Sequence, residues 1–258
     1  MEMWGIDLVV AMILAGGVGS RVGADRPKQF VKVLGKPVLV YTIEIFQNHP
    51  DVDVIEVVCH KEWKNYLRDL IEKYNLTKVL WIVDGGERFQ ESVINGLKHL
   101  KDNTEIDWNS TVLVHYGAAP FTSDRIVTDC IKVTEKWGSA CSTTPCYQLM
   151  GSNDLADSLH EADKKVPISK NWVDRDRYIQ IACPQGYKLN YLASIYHRAE
   201  EKGLLDRVEP HTTSLAYELG DVLYQSYGDQ TNIKITTKED IELFEGYVYR
   251  KWMQENKK

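Results

Sequence analysis

Two hydrophobic periods alternate along the first half of the chain, and few architectures accommodate both. Apolar runs of strand length recur at Asp7 to Leu14, Ile55 to Cys59, Lys78 to Val83 and Thr111 to His115. Between them lie longer segments in which apolar residues return every three or four positions: Val38 to Asn48, Trp63 to Tyr74, Phe89 to Leu100 and Ser123 to Trp137. Near-continuous apolar strands need cover on both faces, so the alternation predicts an α/β fold: a mostly parallel twisted sheet, Rossmann-like, flanked by helices. Ligands of such sheets sit beyond the carboxyl ends of the strands. With 258 residues, 43% of them hydrophobic, the chain can bury one large core, and residues 1–258 are expected to form a single domain.

The alternation breaks after Trp137. Residues 141–176 carry Pro145, Gly151, Pro167 and a charged stretch from Glu161 to Lys165, and they are expected to protrude as an arm that packs on a partner or moves. A helical segment from Leu189 to Lys202 follows, then a short strand around Asn232 to Ile235. Thr236 and Glu239 read as a capping box that opens a helix running to about Gln254. A net charge of −6 gives no general attraction to nucleic acid or an anionic membrane, so an anionic ligand must be met by a local cluster. The five cysteines are odd in number and never spaced as CxxC, which argues against a disulfide framework and a zinc knuckle. Leu8 to Ala15 is too short to span a bilayer and lacks the flanks of a secretory leader, so the expected location is the cytoplasm.

The first strand empties into Leu14-Ala15-Gly16-Gly17-Val18-Gly19-Ser20-Arg21. Three glycines there let backbone N–H groups close around a phosphate without interference from Cβ atoms. No Gly-Lys-Ser/Thr follows, and Val22 stands where a dinucleotide fingerprint has its third glycine, so a P-loop and an NAD-type site are both disfavoured. Just downstream come Arg21 and then Arg26-Pro27-Lys28-Gln29. Nucleotidyl transfer builds negative charge on the α-phosphate and on departing pyrophosphate, so cations beside a glycine cradle suit that chemistry, with Arg21 and Lys28 foremost.

The run from Leu14 to Gln29 resembles the signature of the 2-C-methyl-D-erythritol 4-phosphate cytidylyltransferase family and of its relatives that make CDP-ribitol from ribitol 5-phosphate. Further segments agree in order: Gly85-Gly86 with Glu91-Ser92-Val93, Val114-His115 through Pro120-Phe121, Val173-Asp174-Arg175 with Pro184-Gln185, and Asn232 to Thr236. The resemblance implies CTP and Mg²⁺, a phosphorylated alditol as acceptor, and a homodimer formed through the arm. By position it implies that Ala15, Gly16, Gly17, Gly19 and Gly85 hold the nucleotide, with Ser92 near the base. Arg21, Lys28 and Lys234 would stabilise the transition state, and Arg175, Cys183 and His211 would meet the acceptor, Arg175 from the partner subunit.

The chain departs from the family's pattern on the metal and acceptor side. The expected His-Asp-Ala-Ala-Arg-Pro-Phe is His115-Tyr116-Gly117-Ala118-Ala119-Pro120-Phe121, so tyrosine replaces the metal-holding carboxylate. A phenol is a poor Mg²⁺ ligand, and the ion is expected to arrive chelated by the triphosphate, with His115, His211, Asp84 and Glu91 as candidates to compensate. Phe89 stands where an arginine is expected, the acidic acceptor motif reads Pro210-His211-Thr212-Thr213-Ser214, and Cys183 replaces a threonine. The pattern therefore implies an active cytidylyltransferase with altered acceptor specificity. The alternatives are a catalytically degenerate homologue that binds nucleotide as a regulatory partner and, less favoured, a dinucleotide-binding oxidoreductase.

Overall fold

The structure is a computed structural model that describes residues 6–17, 26–161 and 164–255. In chain order the elements are β1 (Val9–Ala15), β2 (Lys32–Val33), β3 (Lys36–Pro37), α1 (Val38–Asn48), β4 (Val54–Cys59), α2 (Lys64–Lys73), β5 (Val79–Asp84), α3 (Phe89–Asn103) and β6 (Thr111–Tyr116). Then follow α4 (Asp124–Trp137), β7 (Ser139–Pro145), β8 (Asp154–Glu161), β9 (Lys164–Ile168), β10 (Ile179–Lys188), α5 (Leu189–Glu201), α6 (Thr212–Glu218), β11 (Gln225–Tyr227) and α7 (Lys238–Glu255). The main sheet has seven strands in the order β11-β7-β10-β6-β1-β4-β5. β1 lies parallel to both β4 and β6, β4 to β5 and β7 to β11, while β10 runs antiparallel between β6 and β7.

The apolar run of β1 explains its central place. Its residues alternate between two buried faces. Ala11, Ile13 and Ala15 pack with Ile43 and Phe46 of α1, Leu67 of α2 and Val127 of α4. Val10 and Met12 pack on the other side with Val93 and Leu97 of α3 and Leu192 and Ile195 of α5. A third, smaller cluster joins Val33, Val38, Ala118, Phe121, Ile235 and Phe244 and so fastens α7 near the end of β6.

The structure corrects three expectations. The segment does not leave the main sheet at 141, because the chain stays in that sheet through Pro145, and a separate two-stranded β8–β9 hairpin follows. Asn232 to Ile235 forms no strand; it is an irregular segment tied by Ile235 N to Ala118 O at 2.8 Å. The cap of α7 lies one residue later than expected: Asp240 Oδ2 accepts from the N–H of Thr236 (2.7 Å) and of Thr237 (2.9 Å), and Asp240 N donates to Thr237 Oγ1 (3.4 Å). Among the described residues no helix is long and apolar enough to cross a membrane.

One buried carboxyl group interrupts the apolar interior. Glu56 of β4 is fully buried, with Oε1 2.8 Å from His99 Nδ1 and Oε2 without a hydrogen bond. Burial pushes its pKa up from 4.5 to about 7, against the lowering effect of His99. A raised native value means that this contribution to stability is intact below the unfolded pKa and is lost as pH rises through about 7. Glu56→Gln is therefore expected to gain on the wild type by roughly 1–3 kcal/mol between pH 5 and pH 8 in urea unfolding. A stability difference independent of pH would show that Glu56 is ionised in the native state.

Candidate active site

The site begins with an anchor. Phe30 is fully buried, stacked on Trp63 at 4.7 Å and edge-on to Tyr66 at 5.5 Å. The 3₁₀ turn Lys28–Phe30 that it fixes turns Gln29 inward. Gln29 Nε2 donates to the backbone oxygens of Ala15 and Gly17, each at 2.8 Å, so the end of β1 is held open as a cradle. Close approach sets the opposite wall: a Cβ on Gly85 would lie 3.2 Å from Gly16 Cα, and one on Gly16 would lie 3.2 Å from Ser92 Oγ. Ser92 Oγ accepts from Gly86 N and donates to Arg88 O, both at 3.1 Å. Ser92 thus lines the cleft while its hydroxyl holds the loop at 85–88. Gly19 and Arg21 lie outside the described residues.

Two cations come to the same place from distant parts of the chain. Lys28 Nζ donates to Ile235 O at 2.7 Å, and the buried Ile235 side chain fixes that carbonyl. The neighbouring Lys234 places its Nζ 4.5 Å from the ring centroid of Tyr116. Both lysines line a cleft of about 490 Å³ together with Gly16, Gly17 and Ser92. A second cavity of about 600 Å³ is walled by Cys183, Gln185, Ser214 and Asn232. The two cavities share Tyr116, Glu209, His211 and Lys234.

An aromatic group forms this shared wall. Tyr116 Oη lies 2.7 Å from His211 Nδ1, and Phe89 packs against both rings at 5.8 and 5.5 Å. Burial raises the Tyr116 pKa, while burial and the charge of Lys234 lower that of His211, so both stay neutral near pH 7. Cys183 is fully buried, with its thiol pushed up to about 12 by desolvation, and its backbone oxygen accepts from Asn232 Nδ2 at 2.7 Å. Asn232 Oδ1 in turn accepts from Thr122 Oγ1 at 2.7 Å. Arg175 borders neither cavity of this chain; its Nη1 donates to Tyr147 O at 2.5 Å beside the hairpin.

Position 116 supplies no ligand for a magnesium ion held by the protein. Tyr116 is engaged with His211, and the expected compensating ligands are occupied elsewhere. His115 is fully buried, 3.0 Å from both Thr122 Oγ1 and Tyr116 O, with its pKa pushed down to about 3 by burial. Asp84 pairs with Lys64 at 2.8 Å, and Glu91 pairs with Arg88 at 2.7 Å. Among the described residues no three His, Cys, Asp or Glu side chains converge on one point.

Gln29→Glu tests the cradle with little change of shape. It replaces a donating amide by an acceptor that faces two carbonyl oxygens, and calorimetry with CTP, the nucleotide implied by the resemblance, is expected to show affinity reduced by at least about tenfold. Unchanged affinity would mean that the loop holds its form without this support.

The family profile of 2-C-methyl-D-erythritol 4-phosphate cytidylyltransferase matches residues 9–250. The chain is similar to a ribitol-5-phosphate cytidylyltransferase of Lacticaseibacillus paracasei, 32% identical over 246 residues that cover 95% of this chain and 99% of the relative. It is also similar to a 2-C-methyl-D-erythritol 4-phosphate cytidylyltransferase of Clostridium novyi, 34% identical over 241 residues, covering 92% and 95% of the two chains. The solved 4-diphosphocytidyl-2C-methyl-D-erythritol synthase of Anaerococcus prevotii shares the fold, with a TM-score of 0.74 at 24% identity over 94% of this chain and 96% of that one. A profile that spans nearly the whole chain, matched by relatives above 30% identity, carries the assignment: the chain belongs to the 2-C-methyl-D-erythritol 4-phosphate cytidylyltransferase family of nucleotidyltransferases.

Proposed function

We propose that this protein transfers CMP from CTP to the phosphate of a phosphorylated polyol and releases pyrophosphate. The observation that carries the reading is the meeting of two cavities at a wall that holds Lys234, with Lys28 bonded to the adjacent carbonyl. The glycine cradle takes the triphosphate of CTP. The second cavity, with the side-chain amides of Gln185 and Asn232 and the hydroxyl of Ser214, offers neutral donors and acceptors suited to a polyol chain. Relatives are named for ribitol 5-phosphate and 2-C-methyl-D-erythritol 4-phosphate, and those two compounds define the acceptor class.

In this reading an oxygen of the acceptor phosphate attacks the α-phosphorus of CTP in line, and the bond to the pyrophosphate oxygen breaks. Negative charge grows on the leaving group and on the α-phosphoryl oxygens. Lys28 and Lys234 are already in place to meet that charge, with Arg21 assigned to the same shell from the sequence. A magnesium ion would come with CTP and supply further positive charge at the triphosphate, since position 116 offers no carboxylate to hold it. The convergence of both lysines on the cleft favours turnover over the non-catalytic alternative.

The protein acts as a homodimer in this proposal. The hairpin and its flanks expose large apolar side chains, with Leu149 91% and Trp172 80% exposed, and a second copy of the chain would cover them. Arg175, bonded to Tyr147 O beside the same surface, would then meet the acceptor bound to the partner subunit.

Pyrophosphate release is expected with CTP and one of the two named polyol phosphates, and not with ATP or GTP. Release with no acceptor in a wider alditol and sugar phosphate panel would overturn the assignment. Lys28→Ala is expected to lower turnover by about a thousandfold with the fold retained in circular dichroism; near-normal turnover would remove its role. The double substitution Leu149→Glu with Trp172→Glu is expected to halve the mass measured by light scattering. An unchanged mass would place the dimer interface elsewhere or show a monomer.

A further inference from the structure

We propose that Tyr116 and His211 form a positioning pair: Tyr116 fixes the tautomer of His211, and His211 presents its Nε2–H to the phosphate of the acceptor. The proposal rests on the transfer reaction above and assigns a task to the tyrosine that stands where the family carries its aspartate.

The position of the pair is the first reason. Transfer joins the acceptor's phosphate to the α-phosphorus, so the new bond must form where the nucleotide cleft and the acceptor cavity meet. Tyr116 and His211 both belong to that shared wall. The second reason is their short hydrogen bond. Across 2.7 Å one group donates, and among the described residues the Tyr116 hydroxyl has no hydrogen-bond partner other than His211. In the direction this proposal assigns, the neutral phenol gives its proton to Nδ1, the unprotonated nitrogen of a neutral imidazole. The remaining proton then sits on Nε2.

That Nε2 lies 3.6 Å from Glu209 Oε1, beyond hydrogen-bond length, and the Glu209 side chain is 74% exposed, so an arriving anion displaces it at little cost. Lys234 Nζ lies 4.5 Å from the centroid of the Tyr116 ring. An acceptor phosphate entering from the second cavity thus meets an ammonium and an imidazole N–H together. Hydrogen bonds to a charged acceptor are stronger than neutral ones, and a fixed donor loses less freedom on binding. Tyr116 makes no such contact itself and acts through His211.

The test combines spectroscopy and kinetics on the full-length protein. Nitrogen-15 NMR of the imidazole in the free enzyme is expected to show Nδ1 unprotonated and Nε2 protonated, and titration with ribitol 5-phosphate is expected to shift Nε2. Tyr116→Phe keeps the ring, its packing on Phe89 and its contact with Lys234, and removes only the hydroxyl. It is expected to raise KM for the acceptor about tenfold while KM for CTP stays within about twofold. His211→Ala is expected to raise acceptor KM at least as much, His211→Gln, which keeps a donor near Nε2, to recover most of the loss, and Tyr116→Phe added to His211→Ala to cost nothing more. The opposite tautomer, an unchanged acceptor KM in Tyr116→Phe, or additive losses in the double variant would overturn the proposal even if transfer proceeds. If no polyol phosphate is turned over, the transfer reading fails, and the titration alone decides the pair: a shift of Nε2 supports it, and no shift overturns it.

Discussion

The side-chain amide of Gln29 gives its hydrogens to the backbone oxygens of Ala15 and Gly17, and the rest of the candidate site is built outward from those two bonds. They restrain Ala15 to Gly17, where glycine loses more backbone entropy on ordering than any other residue. Gln29 is itself held by the turn that Phe30 pins against Trp63, so the cradle is tied to the core of the α1–α2 face. The same short segment delivers Lys28 to Ile235 O. A single stretch of sequence, Lys28-Gln29-Phe30, thereby links the first strand, a cation and the C-terminal segment that carries Lys234.

Beside that cradle and its cations, the junction of the two cavities follows a different chemical plan. A carboxylate at position 116 would pair with Lys234 or hold a metal. The phenol there does neither: it lies beneath the Lys234 ammonium and bonds to His211. Phe89, in place of an expected arginine, closes the packing. Three substitutions that look independent in sequence are thus in mutual contact, and each makes sense only with the others. Without His211 the hydroxyl of Tyr116 would lose its one protein partner among the described residues, and without Tyr116 the Nδ1 of His211 would lose its own.

Much of the fold was legible because burial imposes periodicity. The helix at Val38 to Asn48 was readable to its ends, and β1, β4, β5 and β6 are apolar runs that must be covered on both faces. β7 was not legible: its sequence, Ser-Ala-Cys-Ser-Thr-Thr-Pro, is polar, and it joins the sheet through pairing with β10 rather than through an apolar pattern. α6 escaped notice because seven residues are too few to show a helical period. Of the residues that line the cleft, Lys28, Lys234, Gly16 and Gly17 were singled out through the order of their motifs. The Tyr116–His211 bond spans 95 positions, and nothing local in the sequence announces it. Arg175 shows the converse case, a residue singled out by motif that borders neither cavity of its own chain.

The account turns on one claim, that two substrates held in adjoining cavities react directly at the wall between them. The stereochemical course at the α-phosphorus tests it most directly. With a single diastereomer of CTP carrying sulfur at the α-phosphate, direct in-line displacement by the acceptor phosphate yields product with inverted configuration. Retention would mean two displacements through a nucleotidylated side chain, and the direct reaction at the Lys234 junction would then be wrong.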